Sequence, residues 1–332
     1  SKTINNVLYK DVNLTAPVGN VDPTYNNGAD DRIAFAGSTS ARRKNPAITN
    51  ALLITNTNKG YTYNIGFTVN KTWKNLFAQI AYNHNGAADV NSGASSTALS
   101  QWEFVQVVGD PNNPSLANSN YMLKHRITSM VTYSINWARH LKTSIGLFYA
   151  GNSGQVFTYL VNGDLNSDGR FGNDLIYVPA DASQIKFVDR LNSAGTAVVA
   201  TAAQQAAAFE AFVDNDPYLS KMRGKYTERN GRSTPWEHVI DARIAQDFYI
   251  KTGSKMHTLQ VTFDVFNLTN LINKDWGRQY SVINQAYNLL TTVNRTSGAF
   301  VGKGYNFTPG NPWSMNFGSR WQGQIGVRYS FN

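Results

Sequence analysis

Seven segments of the chain alternate apolar with polar residues at a period of two. In the last of them Trp321, Gly323, Ile325, Val327, Tyr329 and Phe331 share one parity, and Gln322, Gln324, Gly326, Arg328 and Ser330 the other. Successive side chains on a strand point to opposite sides, so the pattern predicts one apolar and one polar face. Tyr61, Tyr63, Ile65, Phe67 and Val69 stand against Thr62, Asn64, Gly66, Thr68 and Asn70 in the same way. So do Leu259, Val261, Phe263 and Val265 against Thr258, Gln260, Thr262 and Asp264. Shorter runs repeat it around Ile80, Val131, Leu147 and Ile244. The pattern predicts strands over 60–70, 75–85, 121–135, 141–150, 238–250, 256–267 and 320–331.

The connections between these strands carry the organisation. Three are short (Lys71–Lys74, Asn136–His140 and Lys251–Lys255) and three are long (86–120, 151–237 and 268–319). Short and long alternate strictly, which predicts an all-β, antiparallel transmembrane β-barrel with short periplasmic turns and long extracellular loops. A soluble β protein also alternates, because one sheet face is buried. However, the long connections hold about 170 of the 332 residues, more than a compact soluble domain devotes to loops. Aromatics at strand ends (Tyr61, Tyr82, Tyr149, Trp321, Phe331) fit interfacial girdles. The face carrying Tyr61, Ile65, Phe67, Val261, Phe263, Trp321, Ile325, Val327 and Tyr329 is therefore expected to meet lipid. With the last strand running to the periplasmic rim, residues 1–59 are expected to end an outward strand and form an outer loop. Its Arg42-Arg43-Lys44 cluster reads as a solvated face.

Composition narrows the classes. The chain has no cysteine, which excludes disulfides, thiol catalysis and Cys-ligated metals. Charged residues are 15% and aromatics 12%, and 38 Asn outnumber the 21 acids. Disorder wants few aromatics. No apolar run approaches the ~20 residues of a transmembrane helix, which leaves strands as a way across a bilayer. The chain opens Ser1-Lys2-Thr3, without Met or an apolar leader, as expected of a mature, cut or partly traced product. The net charge of +9 is not gathered into a basic stripe with interleaved aromatics, so no nucleic-acid partner is expected. Loop and lumen cations facing anionic outer-leaflet lipid or substrate account for it. His84, His125, His140, His238 and His257 are scattered and read as lumen or rim residues. No H-E-x-x-H, G-x-S-x-G or Walker A pattern occurs, and no enzyme is expected.

Asp164, Asn166 and Asp168, followed by Gly169, match the opening of an EF-hand-type calcium loop, in which alternate oxygens converge on a hard cation. Leu175 stands where that loop has its bidentate Glu. Asp174 and the carbonyl of Arg170 are candidates to complete a structural calcium site. The competing reading is an Asx turn in a polar loop. The Ala-rich stretch 199–213 predicts a helix stopped by Asp216-Pro217 and packed on the outer loop.

Phe263-Asp264-Val265-Phe266-Asn267-Leu268-Thr269-Asn270 resembles the penultimate-strand motif of TonB-dependent outer-membrane transporters. Gly326-Val327-Arg328-Tyr329-Ser330-Phe331 resembles their C-terminal assembly signal, with Tyr329 and Phe331 as its aromatics and Asn332 following. Gly163–Gly169 with Asn173–Pro179 resembles the large-loop segment of the Oar-like branch typical of Bacteroidota, related to SusC-like proteins. Tyr9–Asn13 and Pro235-Trp236-Glu237 fit the same branch. The resemblance implies a plug inside a barrel of about 22 strands, of which this chain supplies a C-terminal segment of about seven to eight. Seven strands alone leave two open edges in lipid, so the plug, its TonB box and the N-terminal strands are expected elsewhere. It also implies an outer-membrane location in a Gram-negative bacterium and import of a bulky nutrient, such as a glycan or peptide, with TonB acting through the absent plug. The alternative is a transporter-like scaffold or assembly component for surface lipoproteins or other outer-membrane machinery. Expected partners are outer-membrane lipid, the missing barrel and plug portion, and a surface-exposed lipoprotein.

Overall fold

The computed structural model describes residues 6–20, 29–93, 95–295 and 302–331. Its main strands are β1 (Asn6–Asp11), β2 (Leu52–Thr57), β3 (Tyr61–Trp73), β4 (Leu76–Asp89), β5 (His125–Ala138), β6 (Leu141–Asn152), β7 (Val156–Asn162), β8 (Glu237–Thr252), β9 (Lys255–Phe266), β10 (Ala286–Arg295), β11 (Gly302–Phe307) and β12 (Gln322–Phe331). Three α-helices join them: α1 (Ala98–Glu103), α2 (Ala202–Asn215) and α3 (Leu268–Ile272).

All seven expected strands form, as β3, β4, β5, β6, β8, β9 and β12, in one antiparallel sheet ordered as in the chain. Their ends differ from expectation. The expected short connections shrink to the two-residue turns Lys74-Asn75, Arg139-His140 and Gly253-Ser254. The apolar stripe marks only part of a strand, whereas backbone hydrogen bonding continues through polar residues such as Lys71 and Thr72. Lys74 (φ 43°) and Gly253 (φ 62°) take the left-handed conformation that tight hairpins use. Tyr121–Lys124 and Arg320-Trp321 fall outside the strands.

Cross-strand register aligns the parities into faces. One row crosses the whole sheet through Trp73, Leu76, Tyr133, Ile145, Ile244, Phe263 and Ile325. The next residues on the strands form the row Thr72, Phe77, Thr132, Gly146, Arg243, Asp264 and Gln324. The apolar face is open: Phe67 is 67% exposed, Val327 69% and Ile325 74%. Burying one such side chain is worth about 1.5–3 kcal/mol, so a face of this size in water is strongly disfavoured. Among the described residues β3 and β12 each pair with one strand of the sheet, which stays open and forms no closed barrel.

The long connections are not loose. Two of them, 151–237 and 268–319, share a hydrophobic core in which Phe157, Tyr159, Ile176, Phe209, Leu290 and Phe307 are at most 2% exposed, and Trp102 of the third packs with Leu14 and Phe35 in a second cluster. β7 pairs in parallel with β10, and β10 antiparallel with β11, to make a second sheet beneath α2. Thr201 caps α2 through a reciprocal box with Gln204, and Phe209 and Val213 turn one face into the core. This helix lies two to three residues beyond the expected 199–213. α1 and α3 are short and carry no sequence signature of their own.

Candidate functional site

Two features are candidates for function: the exposed apolar band of the meander, and a groove where the outer unit meets the strands. All nine residues expected to face lipid belong to this band. Val261 is half-buried between neighbours, and Trp321, just before β12, lies beside Gly323, which pairs with Val265 and is near the Phe263 ring. Tyr329 and Phe331 sit at the inner end, where the Tyr329 hydroxyl is 2.6 Å from His257 Nδ1.

The outer end of the band corrects the reading of the histidines. His84, His125 and His238 are not scattered. With Trp236 they form a row across strand ends on the apolar parity, at the rim of the sheet and not on its polar face. The rings of His84 and His125 are 4.8 Å apart, and Trp236 stacks between His125 and His238 at 5.9 Å from each. Tyrosines tie the row down: Tyr63 on His84 (3.2 Å), Tyr82 on His125 (2.8 Å) and Tyr149 on His238 (2.8 Å). Sequence spacing hides this row because its members come from β4, β5 and the start of β8. The inner end carries Trp73, Trp137, Tyr329 and Phe331, all exposed. From Tyr63 to Trp73 the strand rises about 34 Å at ~3.4 Å per residue. In a barrel whose strands tilt by about 40°, such a rise would span roughly 25 Å, the apolar height of outer-membrane barrels.

The opposite face is polar, rich in Thr, Asn, Gln and Ser, and holds the Arg243–Asp264 ion pair at 3.1 Å. Asp89 belongs to this parity. It binds Arg229, which lines the groove, at 2.8 Å. The groove has a volume of about 790 Å3 between α1, β7 and the start of β10.

The acidic loop is held by its own turns. The backbone N–H of Asp168 donates to Asn166 Oδ1 (3.1 Å), that of Arg170 to Asp168 Oδ1 (2.7 Å), and that of Gly169 to Asp164 Oδ2 (2.9 Å). Asn173 Nδ2 donates to Asp168 Oδ2 (2.9 Å). Asp174 accepts from Leu165 N (2.7 Å) and pairs with buried Arg32 (3.2 Å). The structure thus gathers Asp164, Asn166, Asp168 and Asp174; the Arg170 side chain, which is not the expected ligand, pairs with Glu103 (2.9 Å) and lies over Trp102. Burial, reinforced by the neighbouring Asp168 charge, pushes the Asp164 carboxyl up to about 6. Burial pushes Asp174 up to about 7 against the opposing pull of Arg32. Among the described residues no three acidic or histidine side chains converge closely enough to hold a metal ion as they stand. Asp164 Oδ1 and Asn173 Oδ1 are nevertheless buried without a hydrogen-bond partner. Arg42 is not simply solvated: it is half-buried and lies against Gly169.

No family model matches the chain, and no curated protein matches it. Among solved structures it is similar to the outer membrane transporter YddB from Escherichia coli, with a TM-score of 0.26 and 11% identity. That similarity covers 92% of this chain and 26% of the other, so the chain spans about a quarter of that protein's length.

Proposed function

We propose that this chain is a C-terminal segment of an outer-membrane β-barrel, of the TonB-dependent, Oar-like or SusC-like kind, that imports a bulky nutrient. One observation carries the reading: a seven-strand antiparallel meander exposes a predominantly apolar band, interrupted by Lys71, Ser129 and the Thr143–Gln246 pair and edged by aromatic residues at both rims, while its long connections fold together at a single end. A hydrocarbon environment makes such a face favourable, and aromatic girdles at both rims are the pattern of outer-membrane barrels. The polar face then lines a lumen, and the groove lies at its outer mouth. Further strands pair with the open edges of β3 and β12, and energy coupling resides in a plug outside this chain. The test is fractionation of cells producing the whole protein, followed by uptake assays with and without a proton-motive force. Recovery in outer membranes with energy-dependent uptake is expected. Recovery in the soluble fraction overturns the membrane reading. Recovery in outer membranes with bound surface lipoproteins and no uptake replaces transport with the scaffold role.

We also propose that the acidic loop binds calcium as a structural tether. The support is the pair of buried acceptors without partners, Asp164 Oδ1 and Asn173 Oδ1, beside the carboxylate of Asp168.

A further inference from the structure

The groove at the outer mouth has a chemistry of its own, and its volume falls in the ordinary range of ligand sites. Its walls mix apolar and carboxamide groups with little charge. Among the described residues the one charged liner is Arg229, which is 4% exposed and already neutralised by Asp89. It also donates to Ser92 Oγ at 3.0 Å. A ligand charge would find no free counter-charge here and would lose its water, which is costly.

The carboxamides fall into two groups. Gln155 and Gln285 are committed to the protein. Gln155 Oε1 accepts from Val282 N at 3.0 Å, and Gln285 Nε2 donates to the Asn120 carbonyl at 2.9 Å. The second bond anchors a turn in which Asn284 and Gln285 both have positive φ, at 52° and 53°. By contrast, the side chains of Gln106, Asn284 and Asn288 have no protein hydrogen-bond partner among the described residues. Each offers two donors and an acceptor. Beside them stand Phe104, Phe171 and Ile283, which are 58%, 68% and 79% exposed.

We propose that this groove binds an uncharged, extended peptide with apolar side chains, resting on the reading of the chain as an importer. A peptide backbone presents one donor and one acceptor per residue, and carboxamides pair with both. The apolar wall accepts side chains. A neutral oligosaccharide fits less well, because the exposed apolar surface includes aliphatic Ile283 beside Phe104 and Phe171, and hydroxyls pressed against it lose their water without replacement.

The proposal is tested by calorimetric titration of the purified whole protein in detergent with three probes: a blocked hexapeptide of Phe, Val, Ser and Gly, the same peptide with one Val replaced by Asp, and maltohexaose. The neutral peptide is expected to bind, the Asp peptide at least tenfold more weakly, and maltohexaose more weakly still. The variants F104A/F171A and Q106A/N288A should each weaken the neutral peptide at least tenfold. Phe104, Phe171 and Asn288 are exposed and Gln106 is half-buried, and unchanged melting of each variant verifies its fold. Tighter binding of maltohexaose, equal binding of the charged peptide, no effect of the variants, or no peptide binding overturns the proposal. Each of these results leaves membrane location, read by fractionation, intact. Conversely, a soluble protein that still binds the peptide in this groove sinks the importer reading alone.

Discussion

Arg32 is 2% exposed yet lies between two carboxylates, 2.9 Å from Asp30 and 3.2 Å from Asp174. It also donates to the Leu175 carbonyl at 2.8 Å, so its charge is spread over three acceptors in a dry site. This pairing bears on the acidic loop. Asp174 already has its counter-charge, which leaves Asp164 and Asp168 as the anions available to a calcium ion, with Asn173 Oδ1 as a neutral ligand. The motif was legible from the D-x-N-x-D-G spacing. The role of Arg32 was not, because 142 positions separate it from Asp174. If calcium binds, chelator raises protease sensitivity across 151–237, since metal binding energy is folding energy for the loop it ties. The double variant D164A/D168A reproduces the chelated state and no longer responds to chelator. Identical cleavage in untreated, chelated and doubly substituted protein reduces the loop to a set of Asx turns.

At the scale of elements, parity was the readable quantity and length was not. Every long strand of the meander was legible because one face repeats apolar residues, and register then carried those residues into rows without exception at Ile145, Ile244, Phe263 and Ile325. Strand ends were misjudged because hydrogen bonding continues where the stripe stops. The outer unit was illegible for a different reason. Its contacts join distant segments, such as Val107 N to the Asn173 carbonyl (2.9 Å) and Phe35 N to the Asn166 carbonyl (2.7 Å), and no local period records them. The register yields a sharp expectation on β12. Val327 pairs with Val261 in mid-strand and is exposed. Val327→Lys places an ammonium in hydrocarbon and is expected to cost ~2–4 kcal/mol near the midplane. A Lys at the exposed polar-face position Gln324, opposite Asp264, is the control and should cost less. The measurement is folding equilibrium in lipid vesicles. Equal costs for the two variants would mean that the apolar face does not meet lipid.

At the scale of the whole molecule, the sheet is a ribbon with two free edges. β3 has thirteen residues and β12 ten, and each bonds along one side only among the described residues. About half of the backbone N–H and C=O groups on these strands therefore point away from any partner. In water such an edge is an aggregation hazard. In a bilayer it is forbidden, since each unmet group costs several kcal/mol. β2 leads almost directly into β3, and β1 runs antiparallel beside β2, with Asn6 opposite Thr57. On the proposed barrel reading, further strands pair with the open edges of β3 and β12. Residues 1–332 refolded alone into vesicles should therefore give no heat-modifiable, protease-resistant band. Supplying the remaining strands as a second chain should restore that band, and cross-links placed along β12 should then join the two chains in antiparallel register. A stable, heat-modifiable barrel from 1–332 alone would show instead that β3 and β12 close on each other, and the protein would then be a small self-contained pore.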